Sequence, residues 1–277
     1  MSDPSPGSSG VPLSHLDAED KAARAGSFGE VASHYERFRP GPPVTAVEWY
    51  LPGPVERIVD LGAGTGALTR LLIDSADEVV AVEPDDRMRS VLGAQVPGAH
   101  AVAGRGESIP LPDSCADVAL ASSSWHWMEP ASTLAEVGRV LKPGGILGVL
   151  WSGPDPDGPF MAQAREMLAQ RPTEGDGSVT DLVLGDALRP ASTLEIPPGG
   201  SFGQPELHSF RWDVALDADD LIGLLWTLSW VITMPEEARQ RLTAEARRLL
   251  RDLLGIEGEA TANVAFRCDA WRSQITR

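Results

Sequence analysis

Cysteine is scarce in this chain of 277 residues. Cys115 and Cys268 are the only two, and they lie far apart without a metal-ligand spacing. So few cysteines in a chain of this length do not build a disulfide framework, and nothing in the sequence indicates a metal site. The scarcity favours a reducing compartment, and we therefore expect a cytoplasmic protein.

Basic residues and long apolar runs are also lacking. The chain has 23 Lys and Arg against 40 Asp and Glu, so its net charge of −17 repels nucleic acids and anionic lipid surfaces. The longest apolar stretch, residues 221–234, is interrupted and too short to span a bilayer. No apolar segment follows a positively charged start, as it would in a signal peptide. We expect a soluble protein that binds neither nucleic acid nor membrane.

Composition divides the chain into a lead-in and one large domain. Residues 1–26 are rich in Ser, Pro and Gly, which bury too little surface to offset chain entropy, and we expect them to be disordered. Residues 27–277 are enough for one domain with additions. Within it, the Gly and Pro residues of 171–204 indicate a loop or insertion, and residues 218–255 indicate apolar helices on the substrate side.

Short apolar segments alternate with helical patterns through the middle of the chain. The strand candidates there are RIVDLGA, EVVAVEP, HAVAG, ADVALASS and GILGVLWS; ELHSFRWDVAL and ATANVAFRCDAW are later ones. Continuously apolar strands of this length are typical of a parallel sheet that is covered on both faces. The pattern predicts an α/β, doubly wound fold, with KPGG (142–145) as the short turn between a helix and a strand.

The glycine-rich stretch VDLGAGTG follows the first of these strands. Gly62, Gly64 and Gly66 permit positive φ and let backbone amides approach a ligand. Gly62, Gly64 and Ala67 also satisfy the dinucleotide fingerprint in its Ala-ending form, so an NAD-dependent oxidoreductase is one interpretation. Asp60 would repel a pyrophosphate at this place, but it suits an ammonium group such as the one that S-adenosylmethionine presents.

Glu83 ends the second strand candidate, 17 residues after Gly66. An acidic side chain at this place can accept hydrogen bonds from two ribose hydroxyls, which both kinds of cofactor carry. The alternative is that Glu83 only caps the helix that starts at Asp85.

Residues 28–153 resemble the class I S-adenosylmethionine-dependent methyltransferases, in particular the small-molecule branch often called type 11. VDLGAGTG resembles the family's cofactor loop, VVAVEP its ribose strand, GRGESIPLPDSCADVALASSSWHWM its adenine loop and fourth strand, and VGRVLKPGG its late helix and turn. The resemblance implies a Rossmann-like, mostly parallel seven-stranded sheet with helical additions, and S-adenosyl-L-methionine as the cofactor. It also implies methyl transfer to an oxygen or nitrogen of a small organic molecule, with carboxylic acids among the candidates. Cofactor motifs do not report turnover, so a non-methylating S-adenosylmethionine-binding protein stays an alternative.

The resemblance also implies which residues hold the cofactor. From the methionine moiety through the ribose to the adenine, they are Asp60, Gly62, Ala63, Gly64, Glu83, Pro84, Arg105, Gly106, Glu107 and Ser122. Many relatives have Asp or Asn where Arg105 stands, so we expect backbone atoms around Gly106 to recognise the adenine. In YERFRP, Tyr35 and Arg39 are similar to residues that close over the cofactor; a surface arginine before a proline is the alternative for Arg39.

The stretch SSSWHWMEP follows the fourth strand, at the carboxyl edge where doubly wound sheets bind ligands. His126 is the candidate catalytic base; alternatively, it only hydrogen-bonds the backbone between packed tryptophans. Trp125 and Trp127 are candidates for contact with the substrate, with core packing the alternative for at least one of them. Within the resemblance, the His-Trp pair is similar to one in trans-aconitate methyltransferases, which indicates small acids as acceptors.

A second group of substrate-side candidates lies in a later helix. Trp226 and Trp230 are four residues apart, with Ser229 beside them, in a segment similar to the one where relatives build the acceptor pocket. Apolar walls with one or two polar groups suit a small organic acceptor. The alternative is an ordinary buried helix face.

Overall fold

A computed structural model describes residues 37–38, 40–51, 53–169, 194–197 and 200–276. The predicted lead-in at 1–26, both Tyr35 and Arg39, and most of the 171–204 stretch lie outside these residues. The described residues belong to two compact units. The first falls within 40–152, 190–210 and 267–277, and the second within 1–39, 153–189 and 211–266.

Seven strands form one sheet in the order β3-β2-β1-β4-β5-β7-β6. They are β1 (Val55–Leu61), β2 (Ala76–Val82), β3 (His100–Val102), β4 (Ala116–Ser122), β5 (Leu141–Pro154), β6 (Glu206–Leu216) and β7 (Ala262–Gln274). The neighbours from β3 through β2, β1 and β4 to β5 pair in parallel. The predicted doubly wound, mostly parallel sheet of seven strands is therefore confirmed.

Among the described residues, one helix precedes β1 and the other helices lie between strands in the sequence. They are α1 (Val44–Glu48), α2 (Thr69–Leu72), α3 (Asp86–Gln95), α4 (Pro130–Val140), α5 (Pro159–Ala169), α6 (Ala218–Leu225), α7 (Ser229–Ile232) and α8 (Glu236–Leu254). A single turn of 3₁₀ helix, Trp125–Trp127, follows β4. None of the helices in the described ranges combines the length and the apolar character that crossing a membrane requires.

The apolar strands form the core of the first unit. Both β1 and β2 start partly exposed and end in four buried residues, so their carboxyl ends are the enclosed ends. One cluster contains Val59 and Leu61 of β1, Val80 and Val82 of β2, and Val149 of β5. Since β1 pairs with both β2 and β4, the strand order reverses there, and in such sheets ligands bind in the crevice at the carboxyl ends.

The structure corrects the prediction that KPGG is a turn outside the sheet. Helix α4 ends at Val140, and β5 begins at once because Leu141 pairs with Ala116 of β4. The register then shifts, so that the pairing resumes at Ile146. The KPGG residues are thus extra residues within the strand, and Lys142 anchors them through an ion pair with Asp117 at 2.8 Å.

Helices account for most of the described residues of the second unit. The amphipathic face of α8 places Leu242, Ala246 and Leu249 against Ile222 and Val231. Two helix ends are set by local residues: α6 begins with a capping box between Asp217 and Asp220, and α8 ends at Gly255 in the left-handed conformation. Residues 218–255 contain the three helices α6, α7 and α8.

Candidate active site

The glycine loop after β1 adopts the predicted left-handed backbone. The φ angles are 64° at Gly62, 58° at Gly64 and 95° at Gly66. The amides of Gly62 and Ala63 donate to the carbonyl of Val82 at 2.8 and 3.2 Å. These bonds fix the loop against the carboxyl end of β2.

Gly62 and Gly64 differ in what surrounds them. A Cβ added to Gly62 would lie 2.7 Å from Cβ of Ser124 and 3.3 Å from Cε of Met128. A Cβ added to Gly64 would meet no atom of the described residues within 4 Å. Gly62 is therefore needed for close packing as well as for its backbone angle, whereas the space beside Gly64 is open to a ligand.

Alanine at these two glycines is expected to separate the two effects. Gly64→Ala should lower the free energy of unfolding by about 1 kcal/mol, the cost of a left-handed alanine. Gly62→Ala should cost roughly 2 to 4 kcal/mol because it adds overpacking to the same backbone cost. Urea unfolding of both variants without cofactor measures the difference. Equal losses would show that Ser124 does not constrain the loop.

Asp60, near the end of β1, is a buried carboxyl group. Only 1% of the residue is exposed, and Oγ1 of Thr69 donates to its Oδ2 at 2.6 Å. Burial raises the pKa of Asp60 to about 7, with a further contribution from the charge of Glu83, and the hydrogen bonds from Thr69 oppose the rise. Asp60 thus changes charge near neutrality and can ionise when a cation is bound beside it.

Glu83 ties the glycine loop to the start of α3. Its Oε2 accepts from the amide of Gly64 at 2.8 Å, and its Oε1 accepts from the amide of Asp85 at 2.9 Å. The alternative of a simple helix cap is wrong, because the cap is Asp85, whose own carboxylate accepts from the amides of Arg87 and Met88. Burial raises the pKa of Glu83, and the two amide bonds counteract this rise. Each carboxylate oxygen retains a second lone pair, so Glu83 can still accept from ribose hydroxyls.

The predicted adenine loop is held by its own backbone and by neighbours in the fold. Arg105 and Ser108 exchange two backbone hydrogen bonds, at 3.3 and 3.1 Å, and Arg105 is exposed. Gly106 is buried, and a Cβ there would collide with the side chain of Met128. Oε1 of Glu107 accepts from the amide of Glu129 at 2.7 Å.

Residues 122–127 continue from the carboxyl end of β4. Ser122 is the last strand residue and is half-buried, while Ser123 has a φ of 53°. Ser124 is buried, and its Oγ donates to the carbonyl of Leu61 at 2.6 Å. This hydrogen bond fastens the segment after β4 to the end of β1.

The 3₁₀ turn Trp125–Trp127, here named the WHW turn, contains one core residue and two partly exposed ones. Trp125 is 5% exposed and belongs to the main core cluster, so the core-packing alternative applies to it. His126 and Trp127 are half-buried, with ring centroids 4.8 Å apart. Of the two tryptophans, Trp127 is therefore the one that is accessible to a ligand.

Trp226 in the second unit packs between helices. Its Nε1 donates to Oγ1 of Thr243 at 3.0 Å, and the guanidinium of Arg239 lies 4.9 Å from the ring centroid. These contacts favour the alternative of a helix-packing residue. Ser229 and Trp230 begin α7, and their side chains lie outside the described part of the chain.

Ser124 and Thr69 are site residues that the sequence pattern does not indicate. Ser124 is one of three successive serines, and nothing in the sequence shows which of them turns towards β1. Thr69 lies nine residues after Asp60 and is the first residue of α2. Both contacts are tertiary and leave no periodic signal.

The donor and acceptor groups at this edge fit S-adenosylmethionine. Asp60 offers a buried carboxylate to an ammonium group, Glu83 offers free lone pairs to hydroxyls, and the space beside Gly64 is open. A dinucleotide pyrophosphate would instead face two buried carboxyl groups at the ends of β1 and β2.

Comparison with known proteins agrees with this fit. Residues 59–149 match the methyltransferase domain family. The chain is 37% identical over 224 residues to an uncharacterized methyltransferase of Mycobacterium tuberculosis, covering 81% of this chain and 85% of that protein. It is 32% identical over 142 residues to the malonyl-[acyl-carrier protein] O-methyltransferase of Methylococcus capsulatus, covering 47% and 52% of the two chains.

A solved structure shows the same fold. A type II methyltransferase from Anaeromyxobacter dehalogenans superimposes with a TM-score of 0.55 at 23% identity, covering 86% of this chain and 98% of that one. The glycine loop, its acidic partners and these relatives lead to one assignment: the chain belongs to the class I S-adenosylmethionine-dependent methyltransferases.

Proposed function

We propose that this methyltransferase transfers the methyl group to a small organic acceptor that binds at the carboxyl end of β4, beside His126 and Trp127. The observation that carries the proposal is the hydrogen bond from Ser124 to the carbonyl of Leu61, 2.6 Å long. It joins the WHW turn directly to the loop that contains Gly62. A group held at that turn is therefore close to the glycine loop.

The residues of this chain chiefly position the reactants. When bound, the cofactor would supply a methyl group on a sulfonium sulfur, which is a good leaving group, for transfer to the acceptor nucleophile. Asp60 would hold the ammonium group, Glu83 the ribose, and the backbone at Gly106 the adenine. Alignment of a nucleophile with a good leaving group needs little further acid chemistry.

Further contacts complete the proposed cofactor site. They involve Ala63, Pro84, Arg105, Glu107 and Ser122 in the described part, together with Tyr35 and Arg39 outside it. Pro84 and Arg105 are exposed, so their expected contribution is through the backbone.

The acceptor decides what His126 must do. A hydroxyl or an ammonium group has to lose a proton, and His126 is then the base that receives it. A carboxylate has no proton to lose, and His126 then only orients it. The name of the Methylococcus relative as an O-methyltransferase supports an oxygen acceptor, and the likeness of the His-Trp pair to trans-aconitate methyltransferases supports a small acid.

Trp127 is the proposed wall of the acceptor site, and the role of Trp226, Ser229 and Trp230 in it stays a proposal. A small molecule is favoured over a nucleic acid because the net charge of −17 repels phosphate backbones. We also propose a cytoplasmic location, which the scarcity of cysteine supports.

A transfer assay tests the proposed function. The protein is incubated with methyl-labelled S-adenosylmethionine and a panel of small carboxylic acids, phenols and amines, and labelled products are separated. Labelled product from an acid or a phenol is expected. Absence of transfer to the whole panel, with calorimetric binding of S-adenosylhomocysteine intact, would favour the non-methylating alternative. Calorimetric titration with NAD, which is expected to give no binding, is the control for the oxidoreductase alternative.

Glu83→Ala is expected to weaken binding of S-adenosylhomocysteine by about 2 kcal/mol, because two hydrogen bonds to a charged acceptor are lost. The variant should also unfold at a lower temperature, since the amides of Gly64 and Asp85 lose their acceptor. Glu78→Ala is the matched control: Glu78 lies at the partly exposed start of β2, where it pairs with Arg57 at 2.6 Å. Calorimetry should show unchanged affinity for Glu78→Ala. If Glu83→Ala binds S-adenosylhomocysteine as tightly as the wild type does, Glu83 only holds the glycine loop and does not bind the ribose.

A further inference from the structure

Residues 123–129, here named the bridge segment, join β4 to α4 and contact both loops of the proposed cofactor site. At one end, Oγ of Ser124 donates to the carbonyl of Leu61 at 2.6 Å, and its side chain fills the space beside Gly62. At the other end, the amide of Glu129 donates to Oε1 of Glu107 at 2.7 Å. His126 and Trp127 lie between these two attachments.

Met128 adds a packing contact to the second attachment. Its sulfur occupies the place where a Cβ on Gly106 would lie, and its Cε approaches Gly62 from the same segment. One side chain of the bridge segment thus packs against both cofactor loops. A displacement of either loop would move this side chain.

The bridge segment begins with an unusual backbone conformation. Ser123 has a φ of 53°, in the left-handed region that residues other than glycine rarely adopt. Its amide donates to the carbonyl of Leu150 at 2.7 Å. Such conformations persist where surrounding contacts enforce them, and they concentrate at functional sites.

Ser124 lies directly before the WHW turn and is part of its hydrogen bonding. The carbonyl of Ser124 accepts from the amide of Trp127 at 3.0 Å, while its hydroxyl is bound to Leu61. The residue is 7% exposed, so its hydroxyl acts within the fold rather than on an acceptor. The two hydrogen bonds of Ser124 connect it to main-chain atoms, the carbonyl of Leu61 and the amide of Trp127, and this restricts its motion relative to both.

We propose that Ser124 is a positioning residue that transmits cofactor binding to His126 and Trp127. Occupation of the glycine loop fixes Leu61 and Gly62, Ser124 follows through its hydroxyl, and the WHW turn follows Ser124. The inference rests on the proposed function, which puts the acceptor at this turn. Because coupling between two binding sites is reciprocal, a bound cofactor then favours acceptor binding, and a bound acceptor favours cofactor binding.

Fluorine NMR can follow this coupling without any acceptor. The chain contains eight tryptophans, so 5-fluorotryptophan labelling gives eight signals, and Trp127→Phe identifies the signal of Trp127. S-adenosylhomocysteine is the probe, and its dissociation constant is measured by calorimetry on the same samples. The wild-type Trp127 signal is expected to move on binding. In Ser124→Ala the movement should fall about threefold or more, whereas the dissociation constant changes by less than about threefold.

Ser273→Ala is the matched control for a lost buried serine. Oγ of Ser273 donates to the carbonyl of Gly203 at 2.7 Å, and the residue is 3% exposed. The Ser273→Ala variant should lower the melting temperature much as Ser124→Ala does, but it should leave the movement of the Trp127 signal unchanged. If Ser124→Ala does not fold, Ser124→Cys is measured in its place, because cysteine keeps the shape and is only a weak donor.

The possible results separate this inference from the proposed function. A full movement of the Trp127 signal in the Ser124 variant would overturn the positioning role, because Trp127 would then sense the ligand directly. An immobile wild-type signal at saturating S-adenosylhomocysteine would overturn it as well. Failure of the wild-type protein to bind S-adenosylhomocysteine would overturn the cofactor assignment first, and the calorimetric titration alone reveals that case.

Discussion

The difference in free energy of unfolding between Asp60→Asn and the wild type is expected to change by about 4 kcal/mol in favour of the variant between about pH 4 and about pH 8. Burial raises the pKa of Asp60 in the folded protein to about 7, against an ordinary value of 3.8. In this pH range the folded wild type therefore keeps a proton that the unfolded chain has lost. The stabilising contribution of Asp60 is fully present below the pKa that Asp60 has in the unfolded chain. This contribution is lost as the pH rises through 7, the pKa of Asp60 in the folded protein. Asparagine carries no charge, so the variant lacks this loss.

Urea unfolding of both proteins without cofactor, at several pH values, measures this difference. Asp117→Asn is the control, because the pKa of Asp117 is shifted in the opposite direction to that of Asp60. Partial burial acts to raise the pKa of Asp117, but hydrogen bonds from Lys142 and from the amides of Arg57 and Glu56 leave it lowered. Its stabilising contribution is therefore present above the unfolded pKa and disappears only in more acidic solution. A difference between Asp60→Asn and wild type that does not vary with pH would show that Asp60 is already ionised in the free protein.

The same titration links Asp60 to the cofactor. An ammonium group bound beside the carboxyl lowers its pKa, so binding near neutrality should release a proton from Asp60. Calorimetry of S-adenosylhomocysteine in buffers of different ionisation enthalpy measures that proton. The release should be absent in Asp60→Asn, and affinity for the wild type should rise as the pH increases towards 7.

The parallel sheet is predictable because its strands are short, apolar and separated by helical patterns. β1 and β2 have buried carboxyl ends, and the acidic residues there, Asp60 within β1 and Glu83 directly after β2, stand out against the apolar runs. A charged residue at the end of a buried strand is costly unless it is bound, which is why these two positions carry functional information.

The contacts that complete the site are not predictable in the same way. Glu83 binds the amide of Gly64, and Glu107 binds the amide of Glu129, across 19 and 22 residues of sequence. Such bonds depend on where the loops lie in the folded chain, and neither periodicity nor residue type encodes the partner. The KPGG stretch shows the same limit, since turn residues predict a local bend but not that strand pairing starts at Leu141.

Trp226 illustrates why spacing alone overstates a pocket. Two tryptophans four residues apart would share one face of a continuous helix, but α6 ends at Leu225 and α7 begins at Ser229, so the prediction of a single helix face is wrong. The hydrogen bond to Thr243 and the stacked guanidinium of Arg239 use both the polar and the aromatic parts of the side chain. Its sequence environment does not distinguish these partners from a ligand.

His126→Ala is expected to lower turnover about a hundredfold or more if the acceptor carries a proton, because a positioned base is lost. The wild-type pH–rate profile should then show a limb near neutrality that is absent from the variant, since imidazole groups titrate in that range. If the acceptor is a carboxylate, the profile of both proteins should be flat, and the variant should raise KM more than it lowers kcat. The acceptor found in the transfer assay is used for these measurements, at saturating S-adenosylmethionine.

His100→Ala is the matched control. His100 is the exposed first residue of β3, where it pairs with Val80 and its Nδ1 lies 3.7 Å from Oε1 of Glu78. Its removal should leave turnover, KM and pH profile unchanged. Wild-type kinetics and pH profile in His126→Ala would show that His126 has a structural role beside Trp127. The base or orienting group would then have to come from elsewhere in the acceptor site, while the cofactor contacts of Asp60 and Glu83 would be unaffected.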